Sequence, residues 1–257
     1  MSNGSDGCYT GHMRSTTHSP TAPVAPVSVI FLALLALVGC SSQKELPAPA
    51  QSSSPSATAS PANQTPSASP STSTFCEPAT AIGREATQVG GPTKYLEKKN
   101  FTLTLTTNCG EIVVEADAAK APATVTTIGF LANAKFYDNS LCHRLTTSGI
   151  FVLQCGDPTA SGTGGPGFTF ADENLPTATG VNYPKGTVAM ANSGPNTNGS
   201  QFFLVYADTT LGPNYSIWGK ITQGLDILEK IAALGTEDGG PDGKPKFPVE
   251  IRTARLK

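Results

Sequence analysis

From Phe101 onward, apolar residues recur mostly at every second position, in short runs broken by Gly, Pro and Asn. That period puts successive side chains on opposite faces and marks half-buried β-strands. FTLTLTT (101–107) alternates in this way, Asn108-Cys109-Gly110 is a turn, and Glu111–Glu115 returns, so the pair reads as a hairpin. LCHRL, FVLQC, TVAMA and QFFLVY follow between Gly/Pro/Asn loops, and VEIRTARLK closes the chain as a strand. Two segments switch to helical spacing. APATVTTIGFLANAKF has Pro122 at a first-turn position and Val125, Ile128 and Leu131 on one face. GLDILEKIAAL (224–234) aligns Leu225, Leu228, Ile231 and Leu234 and stops at Gly235. Many short strands with two helices far apart predict a mainly-β fold, a closed barrel whose ends are plugged by the helices.

The first part of the chain obeys different rules. VSVIFLALLALVGC spans Val27–Cys40, and its apolar run Val27–Val38 is shorter than the roughly 20 residues a helix needs to cross a bilayer. It fits the core of a signal peptide, with Arg14 its one sure cation and Met13 an alternative start to Met1. Its end, Leu37-Val38-Gly39-Cys40, resembles the bacterial lipobox, which implies lipidation of Cys40 and anchorage on the extracytoplasmic face of the cell membrane. A plain secretory signal is the simpler rival. Residues 41–74 are almost all Ser, Pro, Ala and Thr and cannot bury enough apolar surface to offset the entropy of ordering. The expected organisation is therefore signal segment 1–40, disordered tether 41–75, an N-terminal extension 76–94, and a folded domain 95–257.

A net charge of −2, with no basic stripe, argues against nucleic acid or an acidic membrane surface as the main partner. Setting aside Cys8 and Cys40, four cysteines remain, Cys76, Cys109, Cys142 and Cys155. An even number in an exported domain suggests disulfides, with three possible connectivities. Cys142 and Cys155 lie on strands that could form a hairpin; whether Cys76 meets Cys109 stays open. No close C-x-x-C or H-x-x-x-H pair invites a metal, so no metal or cofactor is expected.

Four motifs, CHRLTTSGIFVLQCGDP (142–158), GTGGPGFTF (162–170), MANSGPNTNGSQFF (190–203) and IWGK (217–220), resemble the cyclophilin family of peptidyl-prolyl cis-trans isomerases. The resemblance runs from about Tyr95 to Lys257 and implies an eight-stranded antiparallel barrel with two helices. It also implies proline-containing peptides and exported unfolded proteins as partners, with the domain a monomer that acts as a folding helper.

Rotation about an X–Pro amide needs no nucleophile, metal or general base. Its barrier of roughly 18–20 kcal/mol comes from lost amide resonance, and a twisted amide gains a lone pair on the prolyl nitrogen that fixed N–H donors can stabilise. The resemblance assigns that donor to Arg144. Strand parity then turns His143 away, into the core as a hydrogen-bonded histidine. The resemblance gives Phe151, Val152, Phe203 and Leu211 as walls of a proline pocket, with Gln154 and Gln201 positioning Arg144 or a substrate carbonyl. Ala191-Asn192-Ser193 is expected to run beside the substrate backbone, and Thr163-Gly164-Gly165 to edge the groove. In QFFLVY, parity sets Gln201, Phe203 and Val205 on the groove side, and Phe202 and Leu204 in the core. Three departures stand out. Thr210 replaces a frequent family Trp, which predicts weak cyclosporin binding. Tyr215 replaces the pocket histidine. The loop Thr146–Ile150 is two residues longer than usual. A proline-peptide binding module without catalysis is the alternative reading; a cysteine-dependent redox protein is weaker.

Overall fold

The computed structural model describes residues 75–257. The signal segment, Cys40 and the Ser/Pro tether up to Thr74 lie outside the described residues.

Strands β1 (Asn100–Thr107) and β2 (Gly110–Asp117) form the expected hairpin, in register from Asn100 opposite Asp117 to Thr107 opposite Gly110. Their inward positions, Leu103 and Leu105 on β1 and Ile112, Val114 and Ala116 on β2, are buried. The turn closes with Gly110 at φ +122°, in the region that favours glycine, where a side chain would also strike Ile227.

Helix α1 (Pro122–Asn133) starts at the proline and buries Val125, Ile128 and Leu131. Its first turn has no side-chain cap of its own. The carboxylate of Glu173 serves instead, accepting from the Thr124 amide at 2.6 Å and the Ala123 amide at 3.3 Å, which also suits the helix dipole. Short strands β3 (Ser140–Cys142), β4 (Arg144–Thr146), β5 (Val152–Cys155), β6 (Thr187–Met190), β7 (Phe202–Val205) and β8 (Ile217–Gln223) follow. Helix α2 (Leu225–Leu234) runs between Gly224 and Gly235, both at positive φ. It buries Leu228 and Ile231, but Leu234, expected on the same face, is 43% exposed at the last turn. Strands β9 (Asp242–Gly243) and β10 (Val249–Leu256) complete the domain.

All ten strands belong to one antiparallel sheet, ordered β3-β10-β1-β2-β8-β6-β7-β5-β4-β9. The expectation of a closed eight-stranded barrel is corrected to a curled, open-ended sheet of ten. Two local features make the difference. The segment 140–146 changes partner at His143: β3 pairs with β10, β4 pairs with β5, and the His143 amide itself donates to the Gln154 carbonyl at 3.1 Å. Strand β9 is a two-residue addition on the outer side of β4. Because β3 and β4 are consecutive in the chain, the sheet curls back on itself around a core of Leu103, Leu105, Leu153, Phe202, Leu204 and Trp218.

Disulfides join Cys76 to Cys109 and Cys142 to Cys155. The first ties the N-terminal extension to the β1–β2 turn. The extension then lies along the domain: the buried Glu250 carboxylate accepts from the Thr80 amide at 2.7 Å, and Arg84 donates to the Phe136 carbonyl at 2.7 Å.

Phe202 is fully buried, with its ring edge-on to Tyr137 and Trp218. Phe202→Ala should lower the unfolding free energy by about 3–5 kcal/mol, read as a shift of the urea midpoint at unchanged slope.

Candidate active site

One row of residues crosses the sheet on the face opposite the main core. Arg144 on β4 stands opposite Gln154 on β5, Gln154 opposite Phe203 on β7, and Phe203 opposite Ala189 on β6. Val152 and Val205 form the next same-face pair. Strand alternation therefore gives β5 and β7 two functions: Leu153, Phe202 and Leu204 face the core, while Val152, Phe203 and Val205 form a second apolar cluster with Ala189 and Tyr183. The parity expected for QFFLVY holds.

Above this cluster lies a hollow of 160 Å³ lined by Arg144, Ile150, Val152, Gln154, Ala191, Asn192, Phe203, Leu211 and Tyr215. Its far wall is pinned by two buried residues. Asn182 exchanges hydrogen bonds with the Leu211 main chain, donating at 2.7 Å and accepting at 3.0 Å. The Tyr183 hydroxyl accepts from the Tyr215 amide at 3.1 Å and donates to the Tyr215 carbonyl at 3.2 Å. Tyr215 stands edge-on to Phe203, with ring centroids 5.6 Å apart.

Phe151 is the correction to the predicted wall. It packs edge-on to Tyr206 on the other face of the sheet, and Ile150 takes the wall position. Alternation from Val152 requires this, since Ile150, Val152 and Gln154 share a face and Phe151 does not. With the 146–150 loop in place, Arg144 lines the hollow.

A relay of side-chain hydrogen bonds runs from rim to loop. Arg144 holds the Asp242 carboxylate with Nε at 2.8 Å and Nη2 at 2.7 Å, and its Nη1 donates to Gln154 Oε1 at 3.3 Å. Gln154 Nε2 donates to Gln201 Oε1 at 2.9 Å, and Gln201 Nε2 donates to the carbonyls of Gly162 and Gly164, both at 2.9 Å. Gly164, Ser193 and Gln201 line a second cavity of 620 Å³, which meets the first at Gln154, Ala191 and Asn192. Apart from Phe151, the expected groove residues thus divide between two adjoining hollows.

The model of the family described as "Cyclophilin type peptidyl-prolyl cis-trans isomerase/CLD" matches residues 102–256. This chain belongs to the cyclophilin family. Among curated proteins it resembles the probable peptidyl-prolyl cis-trans isomerase B of Mycobacterium leprae, 49% identical over 164 residues that cover 59% of this chain and 55% of that protein. The protein of the same name from Mycobacterium tuberculosis is 45% identical over 166 residues, covering 60% and 54%. The match thus spans about half the length of these relatives. Among solved structures, a cyclophilin-type isomerase from Cryptosporidium parvum aligns with TM-score 0.54 and 28% identity over 62% of this chain and 98% of its own. A second structure of that protein was solved in the presence of the dipeptide Ala-Pro, with TM-score 0.53 over 61% of this chain and 98% of its own.

In this cyclophilin, His143 is buried, but its ring lies against Gly162 of the glycine loop, and neither ring nitrogen has a hydrogen-bond partner among the described residues, against the expected hydrogen-bonded core histidine. Burial pushes its pKa down, opposed by Asp157, so the neutral ring is favoured. Asp157, missed in the sequence, organises the glycine loop. Its carboxylate accepts from Thr159 Oγ1 at 2.7 Å and from the amides of Thr159, Gly162 and Gly164 at 2.8, 2.7 and 3.1 Å. Burial would raise its pKa, but these donors hold it below the usual carboxylate value. Ile150 could have been found by counting back two from Val152. Asp242 sits in a Gly/Pro turn with no periodic signal.

Hydrogen bonding from Arg144 lowers the Asp242 pKa, against a smaller desolvation effect. A depressed carboxylate contributes stability above its unfolded pKa and loses it as pH falls through the folded one. A carboxyl-carbon NMR titration should therefore place the Asp242 midpoint below its ordinary 3.8, and Arg144→Ala should move it back up.

Proposed function

We propose that this domain catalyses cis–trans rotation about X–Pro bonds of exported polypeptides and so helps them fold. The observation that carries the reading is a guanidinium at a hollow sized for a small ring, with Ile150, Val152, Phe203 and Leu211 among its walls. Three of its N–H groups are engaged by Asp242 and Gln154, which leaves two without an acceptor among the described residues.

The chemistry follows from that arrangement. Phe203, Val152, Ile150 and Leu211 surround the prolyl ring, and its burial orients the imide. As the amide leaves planarity, its nitrogen becomes a hydrogen-bond acceptor. The free N–H groups of Arg144 then bond better to the twisted state than to either planar one, the condition for acceleration. Extended peptide is held by main-chain contacts. Among the described residues, the Asn192 main chain makes no hydrogen bond, although the Ala191 amide on one side and the Ser193 amide on the other are taken by the Gln201 carbonyl and Thr197 Oγ1. Asn192 thus offers an N–H and a C=O beside the hollow.

The proposal extends to the rest of the chain. Residues 1–40 act as a lipoprotein signal, Cys40 carries the lipid, and the 41–75 tether holds a monomeric domain off the extracytoplasmic face of a bacterial membrane. Tyr215, in place of a histidine, keeps a flat ring over the pocket. Exposed Thr210 offers no indole surface beside Leu211, so cyclosporin binds weakly.

Two-dimensional exchange NMR on a short Ala-Pro peptide tests the activity. Wild-type protein should give exchange cross-peaks between isomers. Arg144→Ala should weaken them by roughly a hundredfold or more in kcat/KM, the scale of losing a transition-state donor, with the fold intact by circular dichroism. Peptide shifts without exchange would mean a binding module. Full turnover by the variant would remove Arg144 from the mechanism.

A further inference from the structure

The family match begins at residue 102, yet the larger of the two cavities takes one wall from before it. Residues 76–91 form a strap fixed at Cys76 by the disulfide to Cys109. The strap runs along the outside of the glycine-rich loop. The Arg84 amide donates to the Pro158 carbonyl at 2.9 Å and the Val89 amide to the Pro166 carbonyl at 3.0 Å. Between these two anchors, Gln88 reaches over Gly167 into the cavity lining. Gly167 is at φ +87°, and a β-carbon there would collide with Gln88 Oε1, so the backbone at this point is shaped to admit the amide. Gln88 Nε2 donates back to the Ala86 carbonyl at 3.3 Å, while Oε1 makes no hydrogen bond among the described residues.

The remaining lining is uncharged and more polar than apolar. It offers hydroxyls such as those of Thr163, Thr169 and Ser193, the side-chain amide of Asn192 and main-chain groups beside Pro166 and Phe168, and no ionisable side chain lines it among the described residues. A charged group would lose water there without gaining a counter-charge, and an apolar one would leave much of the polar lining unpaired. A neutral hydrogen-bonding side chain loses least.

We propose that Gln88 is a specificity-determining residue, supplied by the strap, which accepts a hydrogen bond from an amide- or hydroxyl-bearing side chain flanking the substrate proline. The inference rests on the peptide-binding reading of the groove, and it deepens that reading.

The test uses the full chain and proline peptides carrying Gln, Leu or Lys in turn at each position within three of the proline. Affinity is read from chemical-shift perturbation and kcat/KM from exchange cross-peaks. At one position, wild-type protein should prefer Gln over Leu by roughly three- to tenfold, the size of one net hydrogen bond. Gln88→Leu should bring that ratio close to one. Gln88→Glu should instead shift the preference to Lys at the same position by a similar factor, which loss of a structural contact would not do. No Gln preference at any position in wild-type protein, or ratios unchanged in both variants, overturns the proposal. If the affinity ranking holds but exchange cross-peaks are absent, the isomerase reading fails and the specificity assignment stands.

Discussion

A short β-strand has two faces, and in this domain the two faces of β5 and β7 do unlike work. One face excludes water with Leu153, Phe202 and Leu204; the other sets Val152, Gln154 and Phe203 along a surface hollow. Register is what permits both. Pairing Gln154 with Phe203 and Arg144 with Gln154 sets a cation, an amide and an aromatic ring side by side. A slip of one residue would send each of them into the core. The sheet hydrogen bonds, the packed core and the Cys142–Cys155 link that flanks Arg144 and Gln154 all hold that register.

Much of this was legible in the sequence because alternation is a strict rule. The period-two runs located the strands, Pro122 located a helix start, and parity separated Phe202 from Phe203. The same rule, applied one residue further, would have exchanged Phe151 for Ile150. What could not be read arises from long-range geometry. Asp242 reaches Arg144 across 98 positions from a Gly/Pro turn, and Glu173 caps α1 from a loop 49 residues on. Neither has a local signal. The strand count failed for a related reason: whether 140–146 is one strand or two depends on its partners, and the change from β10 to β5 at His143 is invisible in LCHRL. Leu234 shows the opposite limit, where helical spacing predicted a face but the helix ended before the core reached it.

The order of charges along the relay explains why its inner members are amides. A carboxylate at position 154 or 201 would bind the guanidinium more strongly, yet it would neutralise the cation on the side facing the hollow. Here the anion is placed on the outer side, at Asp242, where both partners are partly exposed and solvent screens their attraction. The glutamines then fix orientation without adding charge. A buried His143 with a lowered pKa fits the same plan, since burial and the charge of Arg144 both disfavour a second cation there. The carboxylate that acts on His143, Asp157, is committed to loop amides and a hydroxyl. Among the described residues lining the hollow, Arg144 is the one cation, and its N–H groups not engaged by Asp242 and Gln154 are the positive edge to which the proposed twisting imide would be presented.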